Sequence, residues 1–297
     1  MAGVLVVGES LIDVVRRPDG SVVEHAGGSA ANVAVALARL GRPVQFLTAY
    51  ADDGHGAILA RHLNQSAVGL LGDPHVLDRT STARAFLAED GSATYTFDLE
   101  WRLGEIPSVQ PLVVHACSIG AVLEPGASGV RRLLAELRPG TTVSYDVNAR
   151  PAVTGSGPEV LRAVEETAAL ADLVKASDED LEVLYPGMPL QQSVDRLLGL
   201  GPSAVVVTRG RQGAAWFGSG SRIVVPAAEA VVADTIGAGD TFGAAVLDAL
   251  WDLDVLGGRL TDLDAGGVEY VLRQAARAAA ITVSRPGADP PYRHELL

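Results

Sequence analysis

One glycine-bearing stretch of the sequence combines groups that bind anions with a group that accepts protons. It reads Asp234-Thr235-Ile236-Gly237-Ala238-Gly239-Asp240-Thr241-Phe242-Gly243 and lies between an apolar run at 230–233, which predicts the end of a strand, and a predicted buried helix at 244–251. Gly237 and Gly239 leave backbone amides without a flanking Cβ, and a helix start at about Asp240 adds unpaired N–H groups and the positive end of a helix dipole. The stretch therefore predicts a site for an anion such as phosphate.

Asp240 places a carboxylate where negative charge is least favourable. Beside a bound phosphate it is repelled, unless its task is to take a proton from a hydroxyl that attacks that phosphate. Aspartate is also a preferred residue at helix N-caps, and this stretch alone does not separate capping from catalysis. The rest of the chain has to decide between the two.

Short apolar runs alternate with helical segments along most of the chain. The first run, residues 3–8, is continuous, which is typical of a central strand buried on both faces. Further strands are predicted at 44–49, 112–117, 142–147, 173–176 and 204–208, and helices at 33–40, 56–63, 129–137, 159–170, 178–184, 191–198 and 268–280. This alternation predicts an α/β fold with a central, mostly parallel sheet flanked by helices, formed by residues 1–297 as a single domain.

Two segments interrupt that alternation. Residues 14–25 contain a Pro-Asp-Gly turn, and residues 82–101 alternate in polarity on either side of Asp90-Gly91, which is a strong hairpin signal. We expect the two segments to form a small antiparallel β lid outside the main sheet.

Polar residues follow the predicted strands at several points. They are Asp13, Asn148, residues 177–180, residues 208–213 and residues 234–240. Ligands of parallel sheets bind beyond the carboxyl ends of the strands, so these residues are predicted to converge on a single site. Asp13 is a turn residue or a ligand for a polar substrate. Asn32 follows the Gly27-Gly28 pair by one helical turn, and tight helix packing would explain the glycines but not the asparagine.

Composition excludes several classes of protein. A formal net charge of −13 argues against nucleic acid or an anionic membrane as a partner. The single cysteine, Cys117, excludes an intrachain disulfide and a cysteine metal cluster. The first residues lack a basic segment and a long apolar run, so we expect a cytoplasmic protein. The P-loop pattern GxxxxGKS/T is absent from the sequence.

Five motifs occur together in one order. They are Gly27-Gly28 with Asn32, Asp146-Val147-Asn148-Ala149-Arg150-Pro151, Lys175-Ala176-Ser177-Asp178-Glu179-Asp180, Thr208-Arg209-Gly210-Arg211-Gln212-Gly213, and DTIGAGDTFGA. This set resembles the ribokinase or PfkB family of sugar kinases across essentially the whole chain, and DTxGAGD is the most specific signature of that family. The resemblance implies a ribokinase-like fold and ATP-dependent phosphorylation of a sugar hydroxyl with Mg²⁺.

The resemblance also implies roles for individual residues. Asp240 corresponds to the catalytic base, and Gly237, Ala238 and Gly239 correspond to an anion hole. The predicted sugar-binding residues are Asp13, Gly27, Gly28, Asn32, Tyr95, Phe97 and Arg150. The predicted nucleotide-binding residues are Lys175, Thr208, Gly210, Gly213 and Ala276.

Metal sites follow from the resemblance in the same way. Many relatives organise Mg²⁺ through water with an Asn-x-x-Glu motif, and the corresponding residues here are Ser177 and Asp180, which has the shorter side chain. Relatives often carry a monovalent-cation site beside the anion hole. Asp234, Thr282 and Gly287 are the candidates for K⁺, and the sequence does not establish K⁺ dependence.

The sugar is predicted from the segments 115–126 and 284–291, which look like those of bacterial fructokinases. A 2-keto-3-deoxygluconate kinase is the alternative, but the predicted lid carries Asp98 and Glu100, which would repel a sugar acid. Phosphorylation of fructose to fructose 6-phosphate is therefore favoured, unless Arg84 or Arg150 points inward. A nucleoside kinase stays open. A non-catalytic sugar-sensing relative is disfavoured because Asp240 and its glycines are intact.

The oligomeric state is not fixed by the sequence. Lid hairpins in this family often pair between subunits, which favours a homodimer. Acidic residues along the predicted lid, Glu89, Asp90, Asp98 and Glu100, could equally protect an exposed edge in a monomer.

Overall fold

Strands and helices alternate along most of the chain, as the sequence predicts. The computed structural model describes residues 3–88, 92–218, 221–260 and 263–296. The strands are β1 (Val4–Val7), β2 (Leu11–Arg16), β3 (Val22–Gly27), β4 (Val44–Leu47), β5 (Gly69–Leu70), β6 (Thr82–Leu87), β7 (Ala93–Asp98), β8 (Val113–Cys117), β9 (Thr142–Asp146), β10 (Leu173–Ser177), β11 (Ala204–Thr208), β12 (Ala214–Gly218) and β13 (Ser221–Val225). The helices are α1 (Ser29–Arg39), α2 (Gly54–Gln65), α3 (Gly126–Leu137), α4 (Pro151–Thr154), α5 (Pro158–Ala168), α6 (Asp178–Leu184), α7 (Leu190–Gly199), α8 (Ala238–Asp252) and α9 (Ala265–Val283).

A nine-stranded sheet in the order β13-β12-β11-β10-β9-β8-β1-β4-β5 forms the centre of the fold. Its pairs are parallel from β11 to β5, and β12 and β13 are added antiparallel at one edge. Side chains alternate between the two faces, so Val4 and Val6 pack with α1, α8 and α9 while Leu5 and Val7 pack with α3, α5 and α7. Helices on both faces explain why the residues of β1 are all buried. The predicted ribokinase-like α/β fold is confirmed.

The edge of the sheet beside the glycine turn differs from the prediction. No strand forms at 230–233, where Val231 is 87% exposed, and the missed hairpin of β12 and β13 occupies the sheet edge instead. A run of four apolar residues cannot by itself distinguish a strand from an exposed loop. The helix after the turn also begins earlier than predicted, at Ala238 with Gly237 as its N-cap residue. Asp240 is the third residue of α8 and does not cap it.

A second, four-stranded sheet has the order β3-β2-β6-β7 and comprises most of the two segments predicted as a lid. Each predicted hairpin is antiparallel, and the two hairpins join through a parallel pairing of β2 with β6. The Pro-Asp-Gly turn closes the first hairpin, with the Gly20 amide donating to the Arg17 carbonyl at 3.0 Å. Residues 89–91, at the predicted second turn, lie outside the described residues, so the charges of Glu89 and Asp90 are not placed.

Among the helices in the described part of the chain, none is long and apolar enough to cross a membrane.

Candidate active site

Two cavities meet at the turn formed by residues 235–239. The first has a volume of about 340 Å³ and lies between the four-stranded sheet and the carboxyl ends of the main-sheet strands. The second has a volume of about 540 Å³ and lies between β11, the segment 227–232 and α9. Thr235 and Gly239 line both cavities. Volumes of this size are typical of small-molecule sites, so two ligands can approach the same turn from opposite sides.

Asp240 is held by two side chains of α1 at the wall of the first cavity. Ser29 Oγ donates to Asp240 Oδ1 at 2.7 Å, and Asn32 Nδ2 donates to Asp240 Oδ2 at 2.8 Å. The side chain is buried, and its position in the first turn of α8 places it near the positive end of the helix dipole. Ser29 and Asn32 thus hold both oxygens of Asp240, and a carboxylate is a group that can accept the proton of a hydroxyl.

The glycines before Asp240 are required by the shape of the turn. Gly237 has φ of 73°, in the left-handed region, and a Cβ at this position would lie 2.7 Å from the Cβ of Ala288. The turn is therefore packed directly against the segment that follows α9. Since the first amides of a helix lack intrahelical acceptors, those of Gly237 and Gly239 are suited to receive negative charge where the two cavities meet, while the Ala238 amide donates to the Thr235 carbonyl at 3.3 Å.

The predicted sugar-binding residues near α1 are brought together. Asp13, Gly28 and Asn32 line the first cavity. Asp13 lies within β2 and not beyond a strand end, and burial raises the pKa of its carboxyl while the nearby His25 opposes the shift. Gly27 stands beside Asp13, where a Cβ would approach Asp13 Oδ2 to 2.2 Å, so this glycine makes room for the carboxylate.

The other predicted sugar-binding residues differ in their placement. Phe97 and Arg150 line the first cavity. Tyr95 is 59% exposed and stacks on Phe97 with ring centroids 6.3 Å apart, outside the cavity lining. Arg84 also lies outside the lining, and its Nε donates to Thr82 Oγ1 at 3.4 Å.

Three polar residues that the sequence analysis did not assign to the sugar also line this cavity: Glu9, Ser29 and Asn148. The buried Glu9 carboxylate accepts from the amides of Ser29 at 3.1 Å and Gly120 at 2.9 Å, and burial raises its pKa to about 7. The position of Glu9 directly after β1 was a usable signal, because it is a strand-end carboxylate in an apolar segment. Ser29 was missed because only the two glycines and Asn32 were singled out at the predicted helix entry, where α1 begins with Ser29.

The second cavity contains most of the predicted nucleotide-binding residues. Thr208, Gly210, Gly213 and Ala276 line it. Small and apolar side chains make up much of the rest of its wall, namely Ala227, Ala228, Ala230, Val232, Phe242, Ala279, Ala280 and Val283. A flat apolar group such as the purine base of a nucleotide fits such a wall. The phosphates of that nucleotide would then extend toward the glycine turn.

Lys175 is placed behind the glycine turn and not in the wall of the second cavity. Its buried Nζ donates to Asp146 Oδ2 at 2.6 Å, and a Cβ at Gly239 would lie 3.5 Å from the same nitrogen. Burial opposes the charged form, but the carboxylates of Asp146, Asp180 and Asp240 together outweigh it and raise the pKa of Lys175. The ammonium group thus lies close to Gly239 of the turn. Its direct contact with a nucleotide stays a prediction.

Asp180 is held by backbone amides at the start of α6. Its Oδ1 accepts from Ala149 N at 2.8 Å, and its Oδ2 accepts from Ser177 N at 2.7 Å, while Ser177 Oγ caps the helix. A carboxylate oxygen has a second lone pair, so this geometry leaves room for a metal-bound water. The structure describes no cluster of three or more His, Cys, Asp or Glu residues suited to hold a metal directly, and water-bridged Mg²⁺ at Asp180 stays a prediction.

Two of the three residues predicted for K⁺ lie together. Asp234 Oδ2 accepts from the Gly287 amide at 2.9 Å, beside the turn. The Thr282 hydroxyl is buried between α8 and α9, where it donates to Thr241 Oγ1 at 3.0 Å.

Comparison with known proteins gives one consistent result. A family model described as pfkB family carbohydrate kinase matches residues 1–295. The fructokinase of Rhizobium leguminosarum bv. trifolii is 33% identical over 263 residues, covering 83% of this chain and 79% of the relative. The structure of a fructokinase double mutant from Vibrio cholerae O395, in fructose, ADP and potassium ion bound form, superposes with a TM-score of 0.80 at 26% identity, covering 97% of this chain and 94% of that one. The Xylella fastidiosa fructokinase with bound ATP has a TM-score of 0.82 at 25% identity, covering 100% and 97%. The chain therefore belongs to the pfkB family of carbohydrate kinases.

Proposed function

We propose that this carbohydrate kinase transfers the γ-phosphoryl group of ATP to fructose, giving fructose 6-phosphate, with Asp240 as the base. The observation that carries the proposal is the position of the Asp240 carboxylate, at the wall of the first cavity and in the helix turn that both cavities share. The first cavity is named the sugar cavity below, and the second the nucleotide cleft.

The chemistry follows from this arrangement. A sugar hydroxyl beside Asp240 loses its proton to a carboxylate oxygen as it attacks the γ-phosphorus, and a base placed in this way contributes roughly 10²- to 10⁴-fold to the rate. The amides of Gly237, Ala238 and Gly239 stabilise the charge that develops on the transferred phosphoryl group. Magnesium, when bound, neutralises phosphate charge, and Asp180 is the residue proposed to hold it through water. The role of Asp234 and Gly287 at a potassium ion is a proposal of the same kind.

The charge of the sugar cavity favours a neutral sugar. Glu9, Asp13 and Asp240 all line it, and among the described lining residues Arg150 is the one cationic side chain. A sugar acid would bring a further carboxylate into this set, which disfavours 2-keto-3-deoxygluconate. The relatives named fructokinase support the same choice.

Substrate preference is tested by ATP-dependent ADP release against fructose, 2-keto-3-deoxygluconate, ribose and adenosine, with Mg²⁺ and with or without K⁺. We expect the highest kcat/KM with fructose. A preference for the sugar acid would overturn the neutral-sugar reading and make Arg150 the first candidate for its carboxylate ligand. A preference for adenosine would indicate a nucleoside kinase.

We further propose a cytoplasmic location and a homodimer formed through the four-stranded sheet. That sheet exposes apolar side chains on its surface, with Phe86 at 40% and Tyr95 at 59% exposure. Light scattering gives the test: a Tyr95→Glu variant of the protein should be monomeric if this surface pairs, and a monomeric wild-type protein would contradict the dimer.

A further inference from the structure

The Asp240 carboxylate is linked through Ser29 to Asn148, which follows strand β9. Ser29 Oγ, which donates to Asp240 Oδ1 at 2.7 Å, itself lies 2.8 Å from Asn148 Nδ2. Asn148 Nδ2 also contacts Asp240 Oδ1 directly, at the longer distance of 3.5 Å. The amide nitrogen of asparagine can only donate, so Ser29 Oγ must accept the shorter hydrogen bond. The hydroxyl has one proton, and the contact with Asn148 leaves that proton directed at Asp240.

Asn148 is fixed in an unusual backbone conformation that aims its side chain. Its φ is 37°, in the left-handed region, and Ser118 across from it has φ of 52°. Ser118 Oγ donates to the Asn148 carbonyl at 3.1 Å, and the following amide, that of Ala149, donates to Asp180 Oδ1 at 2.8 Å. Non-glycine residues in this region are uncommon and cluster at functional sites. The peptide group between Asn148 and Ala149 is therefore held at both its carbonyl and its amide, and the side-chain amide of Asn148 is presented to Ser29.

We propose that Ser29 and Asn148 are positioning residues for the phosphoryl transfer: Asn148 orients the Ser29 hydroxyl, and that hydroxyl fixes Asp240 Oδ1. The inference rests on the proposed role of Asp240 as base. The second oxygen is fixed by Asn32 at 2.8 Å, so the carboxylate is held at both ends, and its remaining lone pairs face the sugar cavity. A carboxylate that cannot rotate away from the attacking hydroxyl accelerates the chemical step without adding to sugar affinity.

The test is a double-mutant cycle on Ser29→Ala and Asn148→Gly, with glycine chosen because it keeps the backbone conformation of residue 148 accessible. We expect kcat to fall about 10- to 100-fold in Ser29→Ala, the loss of one hydrogen bond to a charged group, and about 3- to 10-fold in Asn148→Gly. The double variant should be slower than Ser29→Ala by less than the factor that Asn148→Gly produces alone, because Asn148 acts mainly through Ser29 and only weakly through its own 3.5 Å contact with Asp240 Oδ1. KM for fructose and ATP should stay within about twofold of wild type, since uniform binding is unchanged.

Ser193→Ala is the matched control for loss of a buried serine hydroxyl. Ser193 is 1% exposed, lies in the first half of α7 outside both cavities, and its hydroxyl contacts the Pro189 carbonyl. Its kcat should equal that of wild type. Thermal melting of all variants, read beside kcat, shows whether each is folded at the assay temperature.

The outcomes separate this inference from the proposed function. Additive losses in the double variant would show that Asn148 does not act through Ser29, and a rise in KM with unchanged kcat would show that the two residues bind the sugar. Either result would overturn the positioning role. An inactive Asp240→Asn enzyme together with a fully active Ser29→Ala enzyme would leave the base in place and overturn the inference alone. An Asp240→Asn enzyme with wild-type kcat would overturn both.

Discussion

The sugar cavity and the nucleotide cleft share the turn at residues 235–239 but are built in different ways. The sugar cavity has charged and amide side chains from β2, α1, the end of β9 and α8, fixed by hydrogen bonds between residues as much as 211 positions apart. The nucleotide cleft is lined mostly by glycines and small apolar side chains, many of them from α9 and the segment 227–232, and Arg211 and Glu229 are its charged lining residues. The comparison indicates that one ligand is recognised by oriented polar groups, and that the other is accommodated by shape and backbone.

The largest expected effect comes from removing the base on the sugar side. Asp240→Asn keeps the size of the side chain but cannot take a proton, so kcat should fall by roughly 10²- to 10⁴-fold. Binding of ATP, measured by calorimetry without sugar, should stay close to wild type, because Asp240 lines the sugar cavity and not the nucleotide cleft. A large loss of ATP affinity would show that the two sites are not independent at this residue.

A second prediction concerns the buried Glu9 carboxylate of the sugar cavity. Because burial raises its pKa from 4.5 to about 7, the folded protein binds this proton more tightly than the unfolded chain. The resulting contribution to the free energy of unfolding is fully present below pH 4.5, is lost as the pH rises to about 7, and amounts to on the order of 3 kcal/mol.

Urea unfolding of wild type and Glu9→Gln between pH 4.5 and 8 measures this contribution. Glu9→Gln also changes the free energy of unfolding by a constant amount at every pH, since its side-chain NH₂ would face the backbone amide of Ser29 or Gly120. The informative quantity is therefore the slope, and the difference between wild type and variant should decrease with rising pH. A difference independent of pH would mean that Glu9 titrates in its ordinary range.

The boundary between the cavities is tested by Gly237→Ala. The substitution adds left-handed strain and a contact of 2.7 Å with Ala288 Cβ, and it should lower the free energy of unfolding by about 1–3 kcal/mol. Because the turn lines both sites, kcat should fall and the KM values for both substrates should rise. Gly187→Ala is the matched control. Gly187 has φ of 72° and nothing lies within 4 Å of an added Cβ, so this substitution should lower the free energy of unfolding through backbone strain alone.

The smallest expected effect is on the nucleotide side. Ala276→Leu places a larger apolar side chain at the wall of the cleft, and we expect KM for ATP to rise about 10-fold, or about 1.4 kcal/mol, with KM for fructose unchanged. Gln274→Leu, on the same helix and outside the cleft lining, should leave both KM values as in wild type. An equal rise in the fructose KM would contradict the separation of the two sites.

The sequence predicted the parts of this molecule that depend on local pattern. The alternation of strands and helices and the turn at 234–240 could be found because glycine, apolar periodicity and strand ends are local signals. Thr208, Gly210, Gly213 and Ala276 were named from the resemblance to the family, and they share the lining of the second cavity. The hairpin of β12 and β13 was missed and a strand at 230–233 was wrongly predicted. Both errors have the same cause, because local sequence does not show which apolar segment pairs at the edge of the sheet.

Long-range polar contacts could not be predicted in the same way. Ser29 is an ordinary helix-start residue in the sequence, and its contact with Asp240 depends on how α1 packs against α8. Lys175 was predicted to bind nucleotide because its motif resembles that of relatives, but its position depends on the pairing of β9 with β10, which places Asp146 beside it. The direction of these side chains depends on how the strands and helices pack, and a short segment of the sequence does not contain that information.

The packing of the glycine turn on the segment after α9 also orders events during synthesis. Gly287, which donates to Asp234, follows it by 53 residues, and Ala288 fills the space against Gly237. A chain growing on the ribosome makes the turn first and its supporting wall only after all of α9 has been added. The contacts that hold the turn in shape are therefore absent until residue 288 has been made, and we expect nascent chains that end before residue 287 to be inactive.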